Sequence, residues 1–553
     1  MFKRDVGAIA LVLAAFGVSP ALSQNIRNSH VLLISIDGMH ALDYINCAAA
    51  NTCPNLALLG QTGVNYTRTS TSRPSDSFPG LMALVTGGTP KTVGAFYDVA
   101  YDRVLAPPAS DTGNGLLHGT CTAGKPNGTR TEYEEGVDID QTQLSGGGPG
   151  YVGFDGGYNS IDPSKLPRDP MNGCAPVYPW NFIRTNTIYG IIHAAGGYTA
   201  WSDKHAVYAA VSGPTGTALP SNVDDYYAPD VNSNAIPLGG VSTATGMLCS
   251  PLPDNNGGDW TTSFQNIQCY DQLKVNAVLN WIKGKNHMGT ASGPVPQIFG
   301  MNFQAVSVGQ KLIENGSKGG YMDGAGTPTA NMLSEIQFVD GAIGQMIGAL
   351  RANGLLSSTA IIITAKHGQS PIDTNRFLPV PGKANNGVPP SSLIATYLPD
   401  SELNQIGSTE DDISLLWLTH SSDTAVAAAI LESNALKAGV GQIFYGPSIL
   451  PMYNAPGLPP NGDPRTPDII VQPNQGVVYT GGNKKQSEHG GFAQDDTNVM
   501  LLVSRPDIQS KTVTTFVETT QVAPTILHVL GLDPTMLDAV KAEGTAVLPG
   551  LPF

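Results

Sequence analysis

Two stretches of the chain, "HVLLISIDG" (30–38) and "AIIITAKHG" (360–368), run through apolar and β-branched residues without polar alternation until their last positions. A strand written this way hides both of its faces, which is the situation in a parallel sheet covered by helices on each side. Three more segments read as strands: "GGYTAWSDKH" (196–205), "QIFGMNFQ" (297–304) and "NVMLLVS" (498–504). Between the strands at 297–304 and 360–368, Met332, Ile336, Val339, Ile343, Ile347 and Leu350 recur every three or four residues, and Asn353-Gly354 follows. That spacing predicts a helix over about residues 329–352. "QVAPTILHVLGL" (521–532) predicts another, with Pro524 tolerated only near its first turn. The expected fold is therefore α/β, a mostly parallel central sheet with helices on both faces. Such sheets bind ligands at the carboxyl ends of their strands, a rule that gathers Asp37, Asp203, His205, Lys366 and His367 at one edge.

The chain has 553 residues, 41% hydrophobic and 13% charged, with 64 Gly and 42 Pro. It is long enough for a large core with loop-rich additions. The weakly patterned stretches near 92–180, 206–290 and 375–485 are read as insertions that cap the sheet edge within a single domain. A formal charge of −15 repels phosphate backbones and argues against general nucleic-acid binding. At the N-terminus, "MFKRDVGAIALVLAAFGVSPALSQ" has a basic start, an apolar run and small residues at Ala21 and Ser23. This is expected to be a secretory signal over 1–23, which sends the protein outside the cell or into a periplasm. No other segment is apolar enough to serve as a transmembrane anchor. Six cysteines lie beyond that signal, an even number that suits disulfides in an exported chain. The expected pairs are Cys47–Cys53, Cys249–Cys269 and Cys121–Cys174.

Ser77 stands just before Phe78-Pro79 and an apolar run, as at a helix start. It can be an ordinary cap, or a nucleophile whose phosphoryl adduct would meet the free N–H groups of the helix. Its context bears on the choice. "ISIDGM" (34–39), "SFPGLMALVTG" (77–87), "TAKHGQ" (364–369), "SEHGGF" (487–492) and "QVAPTILHVLGL" (521–532) occur in that order. This arrangement resembles the alkaline phosphatase superfamily and, within it, the type I phosphodiesterase/nucleotide pyrophosphatase family. The resemblance implies an α/β fold, one or two divalent ions (zinc above all), and a Ser or Thr nucleophile. It places Asp37, Ser77, His367 and His489 at metal-ligand positions. The chain departs from the pattern elsewhere. Lys366 replaces the Asp of an Asp-His pair, and Val306 and Gln310 replace both members of an Asp-x-x-x-His pair. Gly80 stands where an Asn is common.

A protonated ammonium cannot ligate a metal, so Lys366 is read as a catalytic point charge that stands in for lost positive charge. Asp203 and His205 are candidate replacement ligands, while Gly80, Lys204 and Gln310 are candidate substrate-binding residues. The expected activity is hydrolysis of a small or terminal phosphoric ester through a phosphoseryl intermediate on Ser77. Two alternatives are a secreted binding protein that keeps the fold without the chemistry, and a sulfatase-like enzyme. Against the latter, "SFPGL" has Leu81 where the sulfatase maturation motif has Arg.

Overall fold

The computed structural model describes residues 29–141, 157–232, 240–249, 260–381, 387–398, 409–480 and 485–552. The expected export signal lies outside them. At the centre is an eight-stranded sheet made of β1 (His30–Ile36), β2 (Val64–Tyr66), β3 (Ala200–Ser202), β4 (Asp225–Tyr227), β5 (Ile298–Phe303), β6 (Thr359–Thr364), β7 (Leu502–Ser504) and β8 (Lys511–Val513). Its spatial order is β8-β2-β7-β6-β1-β5-β3-β4. Every pairing is parallel except the two made by β7, which runs against its neighbours β6 and β2. The run at 498–504 is split, since Asn498–Val499 pairs in a separate small sheet and only Leu502–Ser504 joins the central one.

The strands are apolar throughout because each alternates between two cores. Val31 and Leu33 of β1 face one, and Leu32, Ile34 and Ile36 face the other. Against the first pack helices α2 (Ser77–Thr86), α3 (Ile188–Ala194) and α6 (Val522–Val529). Against the second pack α1 (Pro54–Thr62), α4 (Phe264–Ile282) and α5 (Ala330–Ala352). Helix α5 buries the six predicted apolar positions. Thr329 caps its start by accepting from the Met332 amide, and Gly354 follows its end at φ 70°, where a left-handed residue suits glycine.

The stretch 206–290 is not a cap. It supplies edge strand β4 and the 19-residue helix α4, both of them parts of the sheet layers. Residues near 390–473 do form a unit of their own. The antiparallel strands Ser414–Leu416, Val440–Tyr445 and Ile469–Pro473 share a third core with Phe96, Tyr97 and Tyr101. All three expected disulfides are present. Among the described residues no helix is long and apolar enough to cross a membrane.

Candidate active site

Strand register brings the polar residues together. Ser35 of β1 lies opposite Asn302 of β5 and Thr364 of β6, and Ser202 of β3 lies opposite Met301. The next residues along these strands are Asp37, Gln304, Lys366 and Asp203, so the carboxyl ends deliver them to one edge. Backbone bonds lock this level. The Asp37 amide donates to the Phe303 carbonyl and the Gly38 amide to the His367 carbonyl, both at 3.0 Å. Behind them, Lys274 of α4 donates to the Asn302 carbonyl at 2.6 Å and pairs with Asp271 at 2.9 Å. Asp271 in turn accepts from the backbone amides of Gln304 and Ala305, which fixes the end of β5.

Helix α2 begins at Ser77, but its cap is Asp76, whose carboxylate accepts from the Phe78 amide at 3.3 Å and the Asp98 amide at 3.1 Å. The ordinary capping role is thus filled by the neighbour, and the Ser77 hydroxyl is left for other contacts. Lys204 Nζ donates to Ser77 Oγ at 3.0 Å, and His367 Nε2 lies 3.2 Å from the same oxygen. His367 Nδ1 is 2.7 Å from the Gly368 carbonyl. A carbonyl only accepts, so Nδ1 carries the hydrogen, and in the neutral imidazole Nε2 is left as the acceptor facing Ser77.

Asp37 Oδ2 accepts from Asn302 Nδ2 at 2.9 Å and from Gln304 Nε2 at 2.6 Å, with His367 Nε2 at 3.5 Å and Lys366 Nζ at 3.9 Å. Its Oδ1 has no hydrogen-bond partner. Burial pushes this carboxyl up, but the charged lysines around it, Lys366 first and then Lys204, hold it well below the ordinary carboxylate range. Lys366 Nζ reaches both oxygens of Asp203, at 3.0 and 3.3 Å. Asp203 is itself pinned by Trp201 Nε1 and by the Lys204 amide, each at 2.9 Å. Burial opposes charge on Lys204, yet Asp37, Asp98, Asp76 and Asp203 raise its pKa above the ordinary value, so it stays an ammonium. The Tyr208 ring lies 4.4 Å from Lys366 Nζ and 5.7 Å from Lys204 Nζ. The His489 ring packs on His367 with centroids 3.9 Å apart. Burial above all holds His489 well below the ordinary imidazole range.

Ser77, Lys204, Asp37, Lys366, Asp203, His367 and His489 therefore converge. Three other candidates have different roles. The ring nitrogens of His205 face Asp230 at 3.2 Å and Glu135 at 3.4 Å, in a separate acidic cluster. Gln310 spends its amide on the Gly38 carbonyl at 2.5 Å, bracing the turn after Asp37. Gly80 is a packing residue, because a Cβ there would drive into the Lys366 carbonyl. The sequence reading missed the Lys204–Ser77 contact, the cap on Asp76, the ring of Tyr208, and Asn302 with Gln304. Only the last two left a trace, as polar residues closing an apolar strand.

The expected zinc, whether one ion or two, does not fit these residues. At the second position Val306 is part of the apolar core and Gln310 is committed elsewhere. At the first, the fourth ligand is an ammonium already bonded to Asp203, and Asp203 is not free to replace it. A dication about 4 Å from one ammonium would be opposed by roughly 8 kcal/mol at an effective dielectric of about 20. Among the described residues, no group of three or more His, Cys, Asp or Glu side chains is placed to hold a metal ion.

The model of the type I phosphodiesterase / nucleotide pyrophosphatase family matches residues 31–116 and 309–496, blocks that carry Asp37, Ser77, Lys366, His367 and His489. The chain belongs to this family. No curated protein matches it. Among solved structures it is similar to phosphonoacetate hydrolase from Sinorhizobium meliloti 1021 in complex with phosphonoformate. That match has a TM-score of 0.50 and 12% identity, and it covers 91% of this chain and 95% of the other. It is also similar to murine ectonucleotide pyrophosphatase / phosphodiesterase 5, with a TM-score of 0.48, 13% identity, and 91% and 96% of the two chains covered. At 12% identity, what the chain shares with the phosphonoacetate hydrolase is the fold.

Two predictions follow from this packing. Helix propensity alone would make Gly80→Ala stabilising by up to about 1 kcal/mol. The clash with the Lys366 carbonyl reverses the sign, and denaturant unfolding should show a loss of about 1–3 kcal/mol. The second concerns Asp496, whose backbone carbonyl holds the Gly368 amide. Burial, resisted by a hydrogen bond with Asp412 and assisted by Asp495, pushes its carboxyl up to about 7. Between about pH 4 and 7 the folded state keeps a proton that the unfolded chain has lost, so this group lowers stability as pH rises. Asp496→Asn should remove that contribution, and melting curves should show a gain in Tm at about pH 7.5 exceeding that at about pH 4.5 by on the order of 2 °C.

Proposed function

We propose that this protein is an exported phosphoric-ester hydrolase of the phosphodiesterase and nucleotide pyrophosphatase kind, acting through a phosphoseryl intermediate on Ser77. The observation that carries the reading is the Ser77 hydroxyl itself. It is released from capping by Asp76 and held between the Lys204 ammonium and the Nε2 of His367.

Ser77 Oγ attacks phosphorus and its proton passes to His367 Nε2. A bond forms between Oγ and phosphorus while the bond to the leaving oxygen breaks. Lys204, already on Oγ, stabilises the oxyanion as it develops, and Asp37 at 3.5 Å from Nε2 favours the imidazolium that results. The imidazolium then returns the proton to the leaving oxygen. In the second half, water gives a proton to His367 and its oxygen bonds to phosphorus. The phosphorus–Oγ bond breaks, Ser77 recovers its proton and inorganic phosphate or a phosphomonoester departs. Ser77 is the first residue of α2, so the positive end of the helix dipole lies beside the adduct, where it favours an anion. Three disulfides among the described residues suit the oxidising compartment that the N-terminal signal implies.

Ser77→Ala should fold normally, since Asp76 and not Ser77 caps the helix. It should lose all burst-phase phosphoenzyme on an aryl phosphodiester or phosphomonoester. Acid-quenched mass spectrometry of the wild type should place a phosphoryl group on Ser77. Turnover by the pure variant at the wild-type rate would remove Ser77 from the reaction.

A further inference from the structure

We propose that the buried ammonium groups of Lys204 and Lys366 supply the positive charge at this site, and that the protein works on its anionic substrate without a resident divalent cation. The proposal rests on the hydrolase reading for its catalytic half, but its metal half stands on geometry alone.

The two lysines are built in. Lys366 is fully buried and meets Asp203 through both oxygens. Asp203 is held from two further sides by Trp201 and the Lys204 backbone, so Lys366 has one place to be. Lys204 reaches over the Tyr208 ring to the oxygen that would bear phosphorus. An ammonium 3.0 Å from Ser77 Oγ lies beside the non-bridging oxygens once the ester is attached, which is where electrostatic stabilisation acts on the transition state.

Electrostatics points the same way. Lys366 Nζ stands 3.0 Å from Asp203 and 3.9 Å from Asp37, and Lys204 Nζ stands 3.0 Å from Ser77 Oγ. An ion held by Asp37, Ser77 and His367 would therefore lie against two ammonium groups. The residues at the altered positions have also been put to other uses. Val306 packs in the core, Gln310 braces Gly38, and Lys366 closes a bridge to β3. Of the converging set, among the described residues, only Asp37 Oδ1 and His489 Nδ1 are buried without a hydrogen-bond partner, and His489 Nδ1 already faces Asp76 Oδ1 at 3.4 Å. Two such donors are fewer than the three protein ligands that a zinc centre takes.

The test uses the full mature protein, purified without added metal, then incubated with excess zinc chloride and desalted. Elemental analysis should find less than about 0.1 equivalent of zinc or any other divalent metal. Hydrolysis of an aryl phosphodiester should change by less than about twofold in EDTA or dipicolinate. Lys366→Asp, which puts a carboxylate beside His367, should bind zinc at least about tenfold more tightly than wild type in competition with a chromophoric chelator. Lys204→Met and Lys366→Met should each lower kcat/KM by about 10²-fold, with unchanged circular dichroism and no rescue by zinc. Stoichiometric zinc in the wild type, or a loss of more than about tenfold on chelation that zinc restores, would overturn the proposal. If no ester is hydrolysed the hydrolase reading fails, while the zinc measurements on wild type and Lys366→Asp still decide this one.

Discussion

The ion pair between Lys366 and Asp203 sets the shape of the whole site. It joins residues that follow β6 and β3, strands separated in the sheet by β1 and β5. Both side chains are fully buried. Desolvating two charges is costly, and the pair persists only because each partner has further contacts: Trp201 and the Lys204 amide on Asp203, the Tyr208 ring and Asp37 near Lys366. Removing one member of such a pair leaves the other charge buried and unpaired, a loss of about 3–5 kcal/mol. The contact therefore ties the stability of the sheet edge to the electrostatics of the site.

From that anchor the remaining geometry follows. With the Lys366 backbone pressed against Gly80 at the start of α2, the helix comes close enough for Ser77 to meet His367. With Asp203 fixed, the adjacent Lys204 is aimed at the same hydroxyl. A second buried pair, Lys274 with Asp271, holds the end of β5 so that Asn302 and Gln304 both donate to Asp37. The site is a set of facing charges built around a serine oxygen that sits between a donor and an acceptor.

Much of the fold was legible because burial on both faces leaves a continuous apolar strand, as in β1 and β6, and a regular stripe, as in α5. What escaped reading had physical reasons. Strand β4 is only three residues long, too short to show a period. Helix α4 buries Asn266, Gln268, Asp271, Gln272 and Lys274, so its inner face looks polar. The edge rule placed Asp37, Asp203, Lys366 and His367 together correctly. It could not tell that His205, two residues from Asp203, turns toward Asp230 and Glu135. Nor could adjacent Asp76 and Ser77, both good caps, be told apart without the contacts that each makes.

The central claim is that a serine nucleophile works here inside a cradle of lysine charge. Orthovanadate, a mimic of the pentavalent phosphorus centre, tests it most directly in a crystal structure grown in the presence of EDTA. The account predicts vanadium bonded to Ser77 Oγ, with Lys204 Nζ within hydrogen-bond distance of an equatorial oxygen and Lys366 still on Asp203. Vanadate bound away from Ser77, or bound at Ser77 only when a divalent ion sits among Asp37, His367 and His489, would contradict it.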